Sequence, residues 1–346
     1  MAINSTALAL AKKINKKLDM DAVVVASGID HTLMPRIPTG SVSLDYALGG
    51  GWPGNTWVEL VGPASSGKTF LALQTLAANQ AIDPDHTTVW VGAEQWVPGY
   101  AQMCGVNLDQ VIVVDTNVME YAYQAVIEYA DSKVVDAIVI DSLPALIPTL
   151  EEEKDAGEVT VGKGALLTNQ FFRKVGKAMK RSMHEEERPV LGMMINQWRE
   201  KIGVMHGDNR TTPGGRGKEF AYFVKAEVSR SDWLTYGSGV KETRVGQTIK
   251  VNITKNKTAP PRRVANVDFY FDDCPPLFVA GEIDFAKEIV ALALINDLIT
   301  RGGAWYYYRD HKWNGKTAIL DSVREEPDLA AAMTADVMEV VTRGKK

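Results

Sequence analysis

Eight consecutive residues carry the clearest chemistry in this chain. Gly62-Pro63-Ala64-Ser65-Ser66-Gly67-Lys68-Thr69 matches the pattern G-x-x-x-x-G-K-[ST] in full, with an apolar run before it and a helical pattern after it. Glycines let successive backbone N–H groups converge on phosphate oxygens, and the end of the following helix adds partial positive charge. Lys68 is spaced to reach the terminal phosphates of a nucleoside triphosphate such as ATP, and the Thr69 hydroxyl to bind Mg²⁺. Phe70 follows directly and is taken with the loop.

Further candidates end the neighbouring apolar runs. Residues 88–91 lead to Glu94, 111–114 to Asp115, 137–140 to Asp141-Ser142, and 190–195 to Asn196-Gln197. In open parallel sheets a ligand lies beyond the carboxyl ends of the strands. Asp141 is therefore the expected second Mg²⁺-shell group beside Thr69, and Glu94 the group that orients the attacking water. Gln197 is neutral and can hydrogen-bond a γ-phosphate. Asp115 reads as a turn residue.

These residues need a frame. Strand-like runs at 57–61, 88–91, 111–114, 137–140 and 190–195 are almost wholly apolar, as strands buried on both faces are. Helical patterns at 69–80, 119–131 and 166–183 separate most of them, which predicts an α/β core with a mostly parallel sheet. Runs at 248–253 and 267–271 alternate and read as antiparallel. Ahead of the core, residues 5–18 form an amphipathic helix with Leu10, Ile14 and Leu18 on one face, followed by a short apolar run and a linker. The stripe must be covered either by this chain's core or by a neighbouring subunit. From Ala286 onward a helix, an aromatic turn at 305–308 and another helix suggest a small C-terminal α/β domain. The expected divisions are 1–33 (helix and arm), 34–272 (core) and 273–346.

Composition narrows the function classes. The chain has 346 residues and a net charge of −5, yet residues 198–263 hold 14 Lys and Arg against 6 Asp and Glu. A basic segment in an acidic chain suits a polyanion. Residues 198–218 mix Arg199, Lys201, Arg210, Arg216 and Lys218 with glycines and hydroxyls, as expected of a loop that orders on a nucleic-acid backbone. No apolar run approaches the roughly 20 residues of a membrane span, and the first twenty residues lack a secretory apolar core. Two cysteines, Cys104 and Cys274, give no disulfide framework, and a cytoplasmic location is expected.

Longer stretches carry a resemblance. Residues 37–45 (IPTGSVSLD), the phosphate loop, residues 139–146 (VIDSLPAL), 195–205 (INQWREKIGVM), Glu242-Thr243-Arg244, Lys255-Asn256-Lys257 with Ala259-Pro260, and Gly303-Ala304-Trp305-Tyr306 resemble the RecA family in order and spacing. The set at 196–205 with Lys255-Asn256-Lys257 is specific to its bacterial-type members. The resemblance implies a P-loop NTPase core that uses ATP and Mg²⁺, forms homo-oligomeric helical filaments on single-stranded DNA, pairs it with double-stranded DNA and catalyses strand exchange. It implies catalytic roles for Glu94, Lys68 and Gln197, adenine stacking by Tyr100, a reach of Lys255 and Lys257 to the neighbour's ATP, and packing of Phe220 across the interface. The first DNA loop would span 154–161 and the second 197–216, with Val161 and Ile202 wedged between bases. Arg173, Arg199, Arg210, Gly214, Gly215 and Arg216 complete the expected DNA-binding set.

The chain departs from the family at several points. Leu166 stands where the family has an arginine, Glu219 where it has an interface lysine, and a residue is missing near Pro98. It stops at Arg343-Gly344-Lys345-Lys346 without an acidic tail, which suggests altered regulation in a divergent or phage-encoded member. Two other readings stay open: a ring-forming DNA motor on the same core, and an accessory filament protein with weak ATPase.

Overall fold

The computed structural model describes residues 4–19, 23–26, 35–152, 162–180, 188–200 and 209–343. An eight-stranded sheet forms its centre. In chain order the strands are β1 (Thr56–Val61), β2 (Thr88–Gly92), β3 (Val111–Val114), β4 (Ala137–Asp141), β5 (Leu191–Asn196), β6 (Tyr222–Tyr236), β7 (Thr243–Asn256) and β8 (Val264–Tyr270). They lie side by side as β8-β7-β6-β1-β5-β4-β2-β3. The pairs from β6 to β3 are parallel, while β6–β7 and β7–β8 are antiparallel. Strands β1, β2, β4 and β5 are buried along their whole length, which is why they read as unbroken apolar runs.

Two strands differ from expectation. β6 is absent from the sequence reading because its second half carries Arg230, Ser231 and Asp232, where the hairpin runs out past the sheet into solvent. Residues 305–308 form a strand rather than a turn. They are the middle of a three-stranded antiparallel sheet with Thr300–Gly302 and His311–Asn314, and Tyr308 is buried there while Trp305 and Tyr307 face out.

Helices cover both faces. Three of them can be numbered at the amino-terminal end: α1 (Ser5–Leu18), α2 (Val42–Leu48) and α3 (Lys68–Ile82). Further helices are α4 (Pro98–Met103), α5 (Met119–Ser132), α6 (Lys163–Ala178) and α7 (Lys218–Ala221), with one more turn at Thr149–Glu152 between α5 and α6. Helix α3 docks through Phe70, whose ring stacks on Phe269 of β8 at 3.7 Å between centroids. Truncating a buried phenylalanine of this kind costs about 3–5 kcal/mol. On the other face, Trp57 of β1 meets Phe171 and Phe172 of α6 edge-to-face. Helix α1 is capped by Asn4, which accepts from Thr6 N at 2.8 Å, but none of its residues is buried, and Leu10 is 57% and Leu18 52% exposed. Among the described residues, Leu10 and Leu18 of its apolar stripe thus lie largely uncovered, while Ile14 is half-buried. No helix among the described residues is long and apolar enough to cross a membrane.

The C-terminal helices are α8 (Phe285–Ile295), α9 (Lys316–Glu325) and α10 (Pro327–Arg343). Ile289, Ile319, Met333 and Val337 build a separate buried cluster that takes in Val42 of α2. The joint is polar at its centre. Glu288 of α8 is buried and accepts from Ser41 Oγ at 2.8 and 3.0 Å and from Ser43 N at 3.1 Å. Burial pushes its carboxyl up to about 8, against the pull of those hydrogen bonds. The proton that Glu288 keeps on folding stabilises the joint at low pH, and that contribution is lost as pH rises through about 8. Calorimetric melting from pH 5 to 9 should therefore show a falling midpoint that flattens in Glu288→Gln; identical pH slopes in both proteins would contradict the assignment.

Candidate functional site

The carboxyl ends of β1, β2, β4 and β5 open onto one edge of the sheet. β1 runs into Gly62, and its last residue, Val61, pairs with Asn196 at the end of β5. Gly92 of β2 pairs with Asp141 of β4. The loop turns back on itself at Ser65 (φ 56°) and Gly67 (φ 98°), then enters α3. At Gly67 a Cβ would sit 2.4 Å from Ile249 Cδ1 of β7, so glycine is required both by the left-handed backbone and by the close approach. Gly67 caps α3 without a side-chain bond, which leaves the helix end to other acceptors.

Inside this edge the predicted residues converge. Lys68 Nζ donates to Gly62 O at 3.1 Å and to Pro63 O at 2.6 Å. Burial lowers its basicity, while the carboxylates of Asp141 and Glu94 pull the other way. Thr69 Oγ1 donates to Asp141 Oδ2 at 3.0 Å. Asp141 is buried, which raises its carboxyl to about 6, and Glu94 adds to the rise while Thr69 and Lys68 oppose it. Ser142 Oγ donates to Glu94 Oε1 at 2.6 Å, and Glu94 N donates to Asp141 O at 3.0 Å. One carboxylate thus sits behind Thr69 and the other is aimed by Ser142. Gln197 N donates to Asn196 Oδ1 at 2.9 Å, which fixes where β5 delivers the glutamine.

A cavity of about 400 Å³ adjoins the loop, lined by Ser65 to Phe70 and by Tyr100 of α4. Tyr100 is largely buried beside Cys104, and burial pushes its hydroxyl up and the Cys104 thiol to about 12. Arg230, Trp233, Gln247, Phe269 and Phe271 complete the wall, and sequence reasoning assigned none of them a role. Arg230 and Arg244 both stack on Trp233, with guanidinium carbons 3.9 and 4.6 Å from its ring centroid. Phe269 and Phe271 belong to the run 267–271, while Arg230, Trp233 and Gln247 lie on β6 and β7, where the alternation of residues 224–228 is the signal of a strand.

The donors suit a hard divalent cation. Mg²⁺ keeps most of its water and takes one or two protein oxygens plus substrate phosphates. Thr69 and Asp141 are such a pair, Asp141 is a buried carboxylate short of counter-charge, and Ser66 Oγ is buried without a hydrogen-bond partner. Among the described residues no three His, Cys, Asp or Glu side chains cluster as a self-sufficient cation cage.

The remaining candidates lie elsewhere. Lys255 and Lys257 do not line this cavity; their ammonium groups donate to the carbonyls of Glu219 and Phe220 on α7. Phe220 is 82% exposed. Arg199 and Arg210 belong to a two-stranded pairing, Arg199–Glu200 with Arg210–Thr211, at the root of the second predicted loop. Arg210 stacks over Trp198 at 4.6 Å. Gly214 and Gly215 take positive φ of 93° and 73°, and Arg216 is exposed next to them. Arg173 is exposed on α6, near Phe220 and Gly217. Val161, Ile202 and the predicted loop at 154–161 lie outside the described residues.

Similarity to known proteins agrees with this geometry. The RecA N-terminal domain family model matches residues 5–274. The protein RecA of Lactobacillus delbrueckii subsp. bulgaricus is 34% identical over 332 residues, covering 95% of this chain and 94% of its own. The protein RecA of Bacillus licheniformis is 34% identical over 344 residues, covering 98% and 93%. A phosphate loop on a strand flanked by Asn196-Gln197, a sheet of this order, and matches that run nearly end to end lead to one assignment: the chain belongs to the RecA family.

Proposed function

We propose that Lys68, Thr69, Asp141 and Glu94 form an ATP site that two neighbouring copies complete, and that Gln197 links this site to a DNA-binding loop. The general role follows from the family: the chain is a recombinase of homologous recombination and DNA repair, with DNA-dependent ATP hydrolysis. The observation that carries the site reading is the convergence of Lys68, Thr69, Asp141 and Glu94 on one sheet edge, with Gln197 delivered to the same edge.

Each residue has a physical task. Backbone N–H groups of 65–69 and the end of α3 hold phosphate oxygens. Lys68 exchanges its two carbonyl partners for phosphate, which is favourable because a buried ammonium gains an anion. Thr69 and Asp141 would hold Mg²⁺, which supplies charge neutralisation at the phosphates. Glu94, held by Ser142, positions a water and takes its proton. Tyr100 offers its ring to the base. Gln197 hydrogen-bonds the terminal phosphate oxygen and shifts when that oxygen leaves. Lys255 and Lys257 serve the neighbouring copy's phosphates after leaving the α7 carbonyls.

DNA binding belongs to 197–216, with Arg199, Arg210, Gly214, Gly215 and Arg216, and to Arg173, Val161 and Ile202. We read 1–33 as the arm that docks on a neighbouring copy, 34–272 as the ATPase core and 273–346 as the small C-terminal domain, acting in the cytoplasm. The exposure of Leu10 and Leu18 on α1 supports the first of these.

Hydrolysis measured with and without single-stranded DNA across a salt series is the direct test. Stimulation should fade with salt, with a log–log binding slope of about −0.7 per neutralised phosphate. Lys68→Ala should abolish turnover, and persistence of full ATPase activity would refute the site. Glu94→Gln should still bind nucleotide but lose at least ~100-fold in turnover, the lower range for a positioned general base. Replacing Lys255 and Lys257 together with alanine should remove the DNA-stimulated component and leave the melting midpoint close to that of the parent; unchanged stimulation would rule out their action across the interface.

A further inference from the structure

Beneath the phosphate loop lies a charged cluster that none of the steps above uses. Glu59 of β1 and Lys218 of α7 are both 0% exposed, and Lys218 Nζ lies 3.0 Å from Glu59 Oε1. Lys225 of β6 pairs with Glu59 in the sheet register and lies 3.3 Å from its Oε2. Glu219 binds both lysines, at 3.1 and 3.2 Å. Burial alone would raise Glu219 and lower Lys225, but the facing charges reverse both shifts. Two carboxylates and two ammonium groups thus balance, with Glu59 and Lys218 fully buried, Lys225 half-buried and Glu219 reaching the surface.

The cluster adjoins several elements of the proposed site. Glu59 stands three residues before Gly62 on the strand that becomes the phosphate loop. Its Oε1 also accepts from Asn196 Nδ2 at 2.8 Å, and Asn196 Oδ1 holds the Gln197 amide. Lys218 Nζ donates to Thr212 Oγ1 at 2.6 Å. A Cβ on Gly214 would lie 2.9 Å from Lys218 Cδ, so the backbone there rests on the lysine stem. Glu219 O accepts from Lys255. One carboxylate therefore joins the entry of the 197–216 segment, at Gln197, to its exit, at Thr212 and Gly214.

We propose that Glu59 and Lys218 are positioning residues that transmit the state of the ATP site, through Asn196-Gln197, to the exit of the second DNA loop. The inference rests on the DNA-dependent ATPase reading. A buried ion pair adds little net stability compared with apolar replacements, and its best-attested use is to fix register. Here it holds two ends of one loop at fixed distances from the strand that carries the phosphates. Movement of Gln197 shifts Asn196, which changes the hold of Glu59 on Lys218 and hence on Gly214.

The test compares the full-length protein with Lys218→Met and with the double variant Glu59→Gln, Lys218→Leu. The double variant removes both charges and keeps an acceptor for Asn196. Readouts are turnover without and with saturating single-stranded DNA, the salt slope of DNA binding, and the melting midpoint. In both variants DNA stimulation should fall about tenfold, within the range of typical coupling energies. Turnover without DNA should fall much less. The salt slope should not change, because a buried lysine neutralises no phosphate. The double variant should melt close to the parent, so poor folding of Lys218→Met would leave the inference open to refutation there. Normal stimulation in a stable double variant would make the pair purely structural and overturn it. A salt slope shallower by about 0.7 would make Lys218 a phosphate contact and overturn it as well. Parent hydrolysis indifferent to DNA would instead remove the reading on which the inference rests.

Discussion

The site depends on the burial of β1 between β5 and β6. Both neighbours are parallel to it; β1 and β5 end in step, while β6 runs on past them to Tyr236. Val61 pairs with Asn196 on one side and with Glu227 on the other. A slip of one residue would turn every side chain of β1 to the opposite face. It would send Trp57 away from Phe171 and Phe172 and bring Glu59 into apolar packing. The phosphate loop inherits its position from that register, which the aromatic contacts of Trp57 and the charged cluster at Glu59, two residues on and so on the same face of β1, both enforce.

Much of this frame was legible in the sequence. β1, β2, β4 and β5 are buried on both faces, and burial demands apolar side chains, so their runs stood out within a residue or two of their ends. Lys68, Thr69, Asp141 and Glu94 followed because each ends or follows such a run. β6 stood out less because its outer half is solvated; the alternation of buried Val224, Ala226 and Val228 with Lys225 and Glu227 in its inner half is the strand signal that was passed over. Trp233, in that outer half, went unseen for the same reason. The strand at 305–308 was mistaken for a turn because Gly302-Gly303 and four aromatics in sequence signal a bend more strongly than a short solvated sheet.

Buried charges that belong to no motif and end no strand escape sequence reading. Lys218 sits among glycines and basic residues, where a solvent-facing side chain is the natural expectation, yet it is wholly buried. Glu59 lies inside the apolar run 57–61, where nothing in the sequence marks it as paired. Only the fold brings them together across 159 residues of sequence. Glu219 shows the same point in reverse: as a departure from the family it looked like a lost interface charge, whereas it supplies the second carboxylate that lets Lys218 and Lys225 be buried.

Lys68 and Lys218 show what separates a binding group from a framing one. Both are buried lysines at the ends of elements that meet β1. Lys218 faces two carboxylates within 3.1 Å, so its charge is matched inside the protein and any change of partner leaves an anion buried alone. Lys68 faces two neutral carbonyls, with Asp141 and Glu94 acting on it only through space, and its basicity falls. An ammonium held that way has a free-energy gradient toward an incoming phosphate, whereas one held like Lys218 has none. The difference in partners is therefore enough to assign one lysine to the ligand and the other to the scaffold that keeps the ligand's signals in register.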